Sequence, residues 1–336
     1  MAASEPDGVT PLELLTDLLR GSDERIAITG ATGWIGATAL DLMYDVFEGR
    51  APDRVTAYAS AGRDVTVRDG RHVKVIPLSE LASQSPAPTT LLHFAFLTRD
   101  RAQEVGFESY VSQNVGISAT VLGAVARHRP RSVVVASSGA VYGPGGSFSS
   151  ALQRDPYGAL KRLDELAFRQ ATRDVGGTCV VPRIFSVAGP RMTKPEAYAL
   201  GSMIRMAVTG GPIEVRARGR VVRSYCGVDE VVALAVWAAI TGRDGEFDSS
   251  GTVVEMSDLA RVVASVHGLG DRDVVREQDA GVAEDVYVGD PAQMPELAAS
   301  AGMRLQSLES LVRSTSAWLA RSVGTGAVPA GEGATG

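Results

Sequence analysis

Short apolar runs alternate with amphipathic segments of helical length over the first half of the chain. The strand-like runs cover residues 26–28, 54–60, 72–76, 90–96 and 132–137. Residues 37–43 and 110–128 lie between such runs and carry apolar positions at helical spacing. Nearly continuous apolar strands that alternate with helices are typical of parallel sheets covered on both faces. The pattern therefore predicts an α/β fold built on a doubly wound parallel sheet.

The two ends of the chain depart from this alternation. Residues 12–19 are apolar at helical spacing, which predicts a helix that docks ahead of the first strand. From Arg183 onward the pattern loosens into loops, short strands and helices such as 257–263. The last residues are Gly, Ala and Pro without periodicity, which predicts disorder. We expect a leader with a docking helix over 1–24, a sheet domain over 25–182, a mainly substrate-binding domain over 183–322 and a disordered tail over 323–336.

Composition narrows the classes of partner. The 336 residues carry a net charge of −6, which argues against nucleic acid as the main partner. Cys179 and Cys226 each lie in an apolar segment, so we expect two buried free thiols in a reducing compartment and no metal site. Residues 1–8 lack the basic segment of a signal peptide, and the longest apolar run, 231–240, is about half of a membrane span. These features predict a cytoplasmic protein with no membrane partner.

A glycine-rich turn at residues 29–36 follows the first apolar run and precedes a helix-like segment. Its three glycines permit a positive φ at the bend and let a pyrophosphate approach the backbone. The N–H groups that open the next helix would face the anion, and the helix dipole adds about half a positive charge there. The alternative is a purely structural turn. The residues predicted to bind a dinucleotide here are Gly30, Gly33, Trp34, Ile35 and Gly36.

The end of the second apolar run bears on the choice of dinucleotide. Enzymes that bind NAD usually place a carboxylate there for the ribose hydroxyls, and this carboxylate would repel a 2′-phosphate. The present chain has Ser60 and Arg63, separated by two small residues. A hydroxyl and a cation suit a 2′-phosphate, so NADP is favoured and NAD stays possible. In the alternative interpretation, Arg63 is a solvated loop charge.

Candidate catalytic chemistry lies in the middle of the chain. Tyr157 and Lys161 are four residues apart, which places them on one face of a helix. A tyrosine normally loses its proton near pH ~10, but a nearby ammonium and an oxidised nicotinamide would favour the phenolate. Ser138 directly follows the run 132–137, at the carboxyl edge where ligands of this fold bind. Its hydroxyl can hydrogen-bond a carbonyl that becomes an alcohol. A Tyr-x-x-x-Lys pair taken alone is usually surface decoration, but this context predicts a catalytic triad.

From about Arg25 to Ser322 the chain resembles the extended short-chain dehydrogenase/reductases of the nucleotide-sugar epimerase/dehydratase type. Beyond the glycine turn, the resemblance rests on residues 93–96, 110–116, 137–143, 156–161, 182–191 and 223–230. It implies a Rossmann-type sheet with a smaller interleaved C-terminal α+β substrate domain. It also implies that Ser138, Tyr157 and Lys161 are catalytic and that Asn114 assists the lysine. Besides Tyr157 and Lys161, the implied cofactor contacts are Leu78, Phe94, Ala95, Phe96 and Ile184.

Departures from the resembling proteins limit this inference. Sugar 4,6-dehydratases have an Asp-Glu pair after the residue that matches Ser138, whereas Gly139 and Ala140 follow it here and cannot transfer a proton. This argues against dehydration. Ser186 replaces an asparagine that reaches the substrate, and residues 77–78 are Pro-Leu in place of Asp-Ile. The identity of the sugar is therefore open, and the adenine contact is weaker.

Three arginines point to a phosphate site. Arg216, Arg218 and Arg220 alternate with small or apolar residues, so an extended strand would place their side chains on one face. Arg223 follows and matches an arginine that contacts nucleotide phosphate in the resembling proteins. Such a cluster suits a diphosphate, although a solvated edge strand is equally consistent. The predicted substrate contacts are Ser186, Arg216 and Arg223.

Three functions fit these residues. In the favoured one, an NADPH-dependent ketoreductase acts on a nucleotide-linked sugar: Tyr157 supplies the proton, Lys161 lowers the tyrosine pKa and Ser138 holds the carbonyl. In the second, an epimerase with tightly bound NAD oxidises and re-reduces one sugar carbon. A cofactor-sensing protein without turnover is the third, and small non-sugar ketones stay possible as substrates. The resemblance also implies a homodimer formed by the helices that carry Asn114 and Tyr157.

Overall fold

A computed structural model describes residues 8–143, 146–149 and 151–324. The helices are α1 (Pro11–Leu19), α2 (Trp34–Phe47), α3 (Ala51–Arg54), α4 (Arg99–Val105), α5 (Phe107–His128), α6 (Pro156–Asp174), α7 (Ala199–Val208), α8 (Val228–Ile240), α9 (Met256–Val266), α10 (Gln293–Ala301) and α11 (Leu308–Gly324). The strands are β1 (Ile26–Thr29), β2 (Val55–Ala59), β3 (Arg63–Thr66), β4 (His72–Pro77), β5 (Thr90–His93), β6 (Ser132–Val135), β7 (Ser137–Ser138), β8 (Thr178–Ile184), β9 (Ser186–Ala188), β10 (Ile213–Glu214), β11 (Val221–Gly227), β12 (Gly245–Asp248), β13 (Thr252–Glu255), β14 (Val274–Val275) and β15 (Asp285–Tyr287).

A nine-stranded sheet organises the first part of the described chain. Its order is β12-β8-β6-β5-β1-β2-β4-β3, and β7 pairs with β8. Every pair is parallel except β3 with β4. The chain order reverses between β1 and β5, so the segments that follow these two strands diverge and leave a crevice at the carboxyl edge. The predicted doubly wound parallel sheet is confirmed.

The sheet interior explains why the strands read as unbroken apolar runs. All residues of β1, β5 and β6 are buried. On one face, Val121 and Val125 of α5 and Phe168 of α6 pack against Leu91 and Val133 of the sheet. Burial of each such side chain contributes about 1.5–3 kcal/mol. Helices cover the strands because a parallel sheet of this kind buries both of its faces.

Strand β3 was not predicted by the sequence pattern. In the alternative interpretation Arg63 is a loop charge, but it begins β3 and lies opposite Val75 in an antiparallel pair. All but one of the β3 residues are exposed. The strand is held by backbone hydrogen bonds at the sheet edge and therefore carries no apolar periodicity.

The chain divides into two compact units. The first comprises residues up to Phe185 together with Asp229–Ser250 and Gly289–Leu305, and the second holds the remainder. Within the second unit, β13, β11 and β15 form a sheet to which β9 adds, and β10 pairs with β14. The domain boundary predicted after residue 182 lies three residues before Phe185, where the first segment of the first unit ends. The predicted docking helix is present as α1, while residues 1–7 and the tail from residue 325 onward lie outside the described residues.

Among the residues that the structure describes, no helix is both long and apolar enough to cross a bilayer. The same residues hold no group of His, Cys, Asp or Glu side chains that could bind a metal ion. Cys179 and Cys226 are buried free thiols.

Candidate active site

The glycine turn after β1 is fixed by two close backbone approaches. Gly30 has φ +70°, and a Cβ there would lie 2.6 Å from the backbone N of Ala95. A Cβ on Gly36 would lie 2.1 Å from the carbonyl oxygen of Gly30. Neither contact can be relieved by a side-chain rotation, because the obstructing atoms are backbone. The fold itself therefore requires glycine at both positions.

Gly33 is different. A Cβ at this residue would meet only the Gly30 carbonyl oxygen, at 3.4 Å, which is ordinary van der Waals contact. Gly33 is also the N-cap of α2, and no side chain caps that terminus. Trp34 and Ile35 form the first turn of the helix. An open helix N-terminus at the carboxyl edge of a parallel sheet suits the pyrophosphate of a dinucleotide.

The segment after β5 is held against the crevice from α5. The Asn114 side-chain oxygen accepts a hydrogen bond from the Leu97 backbone N–H at 2.8 Å. The Tyr110 hydroxyl donates to the Leu97 carbonyl at 2.8 Å, and the Asn114 amide donates to the Tyr110 carbonyl at 3.1 Å. Asn114 thus anchors the backbone next to the predicted cofactor contacts. Its predicted assistance to Lys161 stays a prediction.

Close packing at the start of α6 brings Tyr157 to Ser138. The Asp155 carboxylate caps the helix by accepting from the Gly158 N–H at 3.2 Å. A Cβ on Gly158 would lie 2.2 Å from the carbonyl oxygen of Ala140, so the missing side chain lets the helix approach the turn after β7. The Tyr157 phenol and the Ser138 hydroxyl form a hydrogen bond there. Two members of the predicted triad are therefore in contact.

Burial has the largest influence on the pKa of Tyr157. Burial raises the pKa of the Tyr157 phenol, and the Asp155 carboxylate raises it further. The hydrogen bond from Ser138 and the charge of Arg99 act in the opposite direction without overcoming burial. The predicted lowering of the Tyr157 pKa depends on a bound oxidised nicotinamide as well as on Lys161, so it stays a prediction.

Lys161, the third member of the triad, is buried beneath an aromatic ring. Its ammonium donates to the Ala136 carbonyl at 2.8 Å and lies 3.8 Å from the centroid of the Phe96 ring. Burial lowers the pKa of Lys161 to about 8, although Asp164 and Glu165 oppose this shift. The ammonium is thus still mostly charged at neutral pH. An aromatic face at this distance stabilises the buried cation.

His93 at the end of β5 is a neutral neighbour of this charge. Burial and the Lys161 ammonium lower the pKa of His93 to about 3. Its Nδ1 atom shares a hydrogen bond with the Thr29 hydroxyl at 2.8 Å. This contact joins the ends of β1 and β5 on the floor of the crevice.

An ion-pair network under β7 was missed by sequence reasoning. The buried Glu165 carboxylate accepts from Arg183 Nε at 2.9 Å and from the Ser137 hydroxyl at 2.6 Å. Arg183 also donates to the Tyr142 hydroxyl at 2.8 Å. The network fixes the backbone next to Ser138. The one available signal was that Glu165 lies four residues after Lys161, on the same face of α6.

The remaining predicted cofactor contacts gather along one edge of the sheet. Ser60 and Leu78 follow β2 and β4, residues 94–96 follow β5, and Ile184 ends β8. Ser60 and Arg63 are exposed, whereas Leu78 packs against the core. Except for Arg63, which begins the antiparallel edge strand β3, these residues lie at the carboxyl ends of parallel strands or just beyond them. Their contact with a cofactor stays a prediction.

The predicted substrate contacts belong to the second unit. Ser186 begins β9 and lies opposite Tyr225 of β11. Arg223 lies on β11, where its guanidinium is 2.6 Å from the Asp285 carboxylate, and Arg216 is exposed. Binding of a sugar or a phosphate by these side chains stays a prediction.

The extended strand predicted around the other arginines is wrong. Strand β10 ends at Glu214. Beyond it, the Arg276 side chain donates to the backbone carbonyls of Ala217 and Gly219, which a strand would use for pairing. Arg218 faces Glu277 at 3.3 Å, and Arg220 pairs with Glu284. Acidic partners thus offset two charges of the predicted cluster, although all three arginines stay exposed.

Comparison with protein families and curated proteins gives a consistent result. The model of the NAD dependent epimerase/dehydratase family matches residues 26–248. A UDP-glucose 4-epimerase from Azospirillum brasilense is 26% identical over 349 aligned positions, which cover 91% of this chain and 96% of that protein.

Solved structures share the fold at lower identity. A UDP-glucose-4-epimerase from Stenotrophomonas maltophila, with bound NAD and formylated UDP-arabinopyranose, superimposes with a TM-score of 0.70 at 18% identity, covering 90% of this chain and 100% of that one. A dTDP-glucose 4,6-dehydratase double mutant from Streptomyces venezuelae, with NAD bound, gives 0.66 at 22% identity over 90% and 98% of the two chains. A UDP-N-acetylglucosamine 4-epimerase from Methanobrevibacter ruminantium M1 gives 0.68 at 19% identity over 90% and 99%.

Proposed function

The chain belongs to the NAD-dependent epimerase/dehydratase family, and we propose on this premise that it is a nucleotide-sugar epimerase that uses tightly bound NAD. The observation that carries the proposal is that Tyr157 and Lys161 of α6 both lie against the Phe96 ring, at 5.7 Å between ring centroids and at 3.8 Å from the ammonium, while Ser138 interacts with the phenol. A curated relative of nearly full-length coverage is a UDP-glucose 4-epimerase, which supports this activity over the ketoreductase that the sequence favoured.

The glycine turn and the chain's own side chains fit such a cofactor. Gly33 leaves the N-terminus of α2 open for a pyrophosphate, and Lys161 supplies a buried cation one turn after Tyr157 on α6. When bound, NAD supplies the hydride acceptor and donor. The Ser138 hydroxyl would hold the oxygen of the reacting carbon. Tyr157, as the phenolate, would take the proton from that oxygen and, as the resulting phenol, would later return it. The positive charge of Arg99 favours the phenolate that accepts the proton.

The turn after Ser138 disfavours the dehydratase reaction. Gly139 has no side chain, and a Cβ there would lie 2.4 Å from the Phe185 ring. Ala140 is buried and carries only a methyl group. Neither residue can move a proton between neighbouring sugar carbons. A reaction that changes one carbon and returns the hydride to it fits these residues better.

A second candidate is the NADPH-dependent ketoreductase. The observation in its favour is the end of β2, where exposed Ser60 and Arg63 stand in place of a carboxylate. A hydroxyl and a guanidinium suit the 2′-phosphate of NADP. The two candidates differ in whether the dinucleotide is consumed or retained.

Identification of the bound dinucleotide, followed by turnover, tests both candidates. Nucleotides extracted from the purified protein are identified by mass spectrometry, and the protein is then incubated with UDP-glucose or UDP-N-acetylglucosamine without added cofactor. Retained NAD and formation of the 4-epimer support the epimerase. In a parallel incubation with NADPH and a nucleotide-linked keto sugar, consumption of NADPH in proportion to the alcohol formed supports the reductase. Tyr157→Phe should abolish turnover, and Tyr198→Phe at an exposed position serves as control. Full activity of Tyr157→Phe would refute both candidates.

We also propose that the homodimer predicted from the resemblance forms through α5 and α6. The large apolar side chains of Val115, Leu163 and Leu166 are exposed on these helices. Sedimentation of Leu163→Glu should show loss of the dimer. An unchanged oligomeric state in this variant would rule out that surface.

A further inference from the structure

Arg99 and Asp155 form an ion pair beside the Tyr157 phenol. Arg99 is the first residue of α4, and its guanidinium carbon lies 5.5 Å from the centroid of the Tyr157 ring. One guanidinium nitrogen is 3.6 Å from a carboxylate oxygen of Asp155. Asp155 in turn caps α6, the helix that carries Tyr157. A cation and an anion thus lie next to the same side chain, one from each flanking segment.

The other polar groups considered around the Tyr157 phenol come from β7, α5 and α6. Ser138 of β7 hydrogen-bonds the phenol, and the Tyr110 phenol of α5 lies close enough to interact electrostatically with it. From α6 itself, the Lys161 ammonium is buried against the Phe96 ring and donates to a backbone carbonyl. The charges that act on the Tyr157 phenol are those of Arg99, which favours the phenolate, and Asp155, which disfavours it.

We propose that Arg99 is a positioning residue that acts through Tyr157, and that its ion pair with Asp155 sets how readily the phenol gives up its proton. The pair gives the tyrosine a cation that is independent of Lys161. This inference rests on the proposed function in one respect, the role of Tyr157 as the group that exchanges a proton with the sugar.

The two charges should give shifts of opposite sign. Arg99→Gln removes the cation, so the phenol should ionise at higher pH. The rise of kcat with increasing pH should therefore occur at a higher pH. Asp155→Asn removes the anion and should move the rise of kcat to a lower pH, while asparagine still caps α6. Since Arg99 is largely exposed, its charge acts through a water-like medium, and each shift should be about 0.5 pH unit. A merely structural role would slow both variants without shifts of opposite sign.

The matched control comes from the same helix. Arg101 pairs with Glu104 on α4 and makes no ring contact with Tyr157 in the described part of the chain. Arg101→Gln therefore alters the charge of α4 without removing the ion pair between Arg99 and Asp155. Arg99→Lys keeps a cation but not the planar guanidinium, and it should recover at least part of the shift. Circular dichroism of every variant separates these effects from unfolding.

A titration that needs no turnover separates this inference from the proposed function. The ultraviolet tyrosinate signal is recorded against pH for each variant, and the curve of the same variant with Tyr157→Phe is subtracted to isolate Tyr157. Opposite shifts for Arg99→Gln and Asp155→Asn, both larger than the shift for Arg101→Gln, support the inference. This holds even if no nucleotide sugar is turned over, because that result contradicts only the proposed function. Shifts of the same sign, or none beyond the control, overturn the inference even if the protein is an active epimerase.

Discussion

Replacing Arg183 with Met should destabilise the protein strongly, because it breaks an ion pair buried under β7, the strand that carries Ser138. The Arg183 side chain is 5% exposed and that of Glu165 is 1% exposed. Two guanidinium nitrogens meet the two carboxylate oxygens at 2.9 Å and 3.0 Å. These contacts, with the hydrogen bonds from Ser137 and Arg162, hold the pKa of Glu165 below its usual range despite burial.

The size of the effect follows from what the variant leaves behind. Met fills much of the arginine volume but leaves the Glu165 carboxylate with fewer donors in a site that excludes water. Removal of one partner of a buried pair costs about 3–5 kcal/mol. The pKa of Glu165 is lowered in the folded protein, so this stabilisation is present above the ordinary glutamate pKa and is lost as the pH falls below it.

Urea denaturation followed by circular dichroism measures this loss at neutral pH and again in acid. Arg313→Met provides the control, because its pair with Glu309 is more than half exposed on both sides and should contribute about 0–1 kcal/mol. Arg183→Met should lose far more than the control at neutral pH, and the difference should shrink in acid. Equal losses in the two variants would refute the reasoning that burial, not mere pairing, determines the cost. Adding Glu165→Leu to Arg183→Met should restore part of the stability, since an apolar pair can replace a buried ionic one.

Three further predictions address the cofactor turn, the crevice floor and the second unit. Gly36→Ala should lower the melting temperature, because its Cβ would lie 2.1 Å from a backbone oxygen. Gly33→Ala should keep the melting temperature but weaken NAD binding, which calorimetry measures. An equal fall in the melting temperature of both variants would contradict this distinction. The pKa of His93 falls to about 3 from an ordinary 6.5, so the unfolded chain binds the extra proton between these values and stability falls with falling pH there. His93→Gln should remove about 1.4 kcal/mol per pH unit from that slope in urea titrations, and an unchanged slope would mean that the folded protein accommodates the charge. Arg223→Ala should raise KM for a nucleotide-linked sugar far more than for the free sugar, and equal effects on both would rule out a phosphate contact.

The glycine turn and the helix that carries Tyr157 and Lys161 could be predicted because their information is local. Gly30, Gly33 and Gly36 act through backbone conformation and through the start of the next helix, and both depend on spacing within one short segment. Tyr157 and Lys161 share a helix face for the same reason. Strand β3 left no such local signal, because an edge strand held by its backbone needs no apolar alternation.

The electrostatic setting of Tyr157 was decided by tertiary structure. Arg99 lies 58 positions before Tyr157 in the sequence and reaches its ring only because α5 anchors the segment after β5. The pKa of the phenol is raised because folding removes water from it, which no residue spacing reports. The alternating arginines around residue 218 likewise predicted a strand, but the side chain of Arg276 takes the backbone carbonyls that a strand would need. The sequence by itself thus determined the sheet, the glycine turn and the shared helix face of Tyr157 and Lys161, while burial and long-range partners determined the electrostatic surroundings of these side chains.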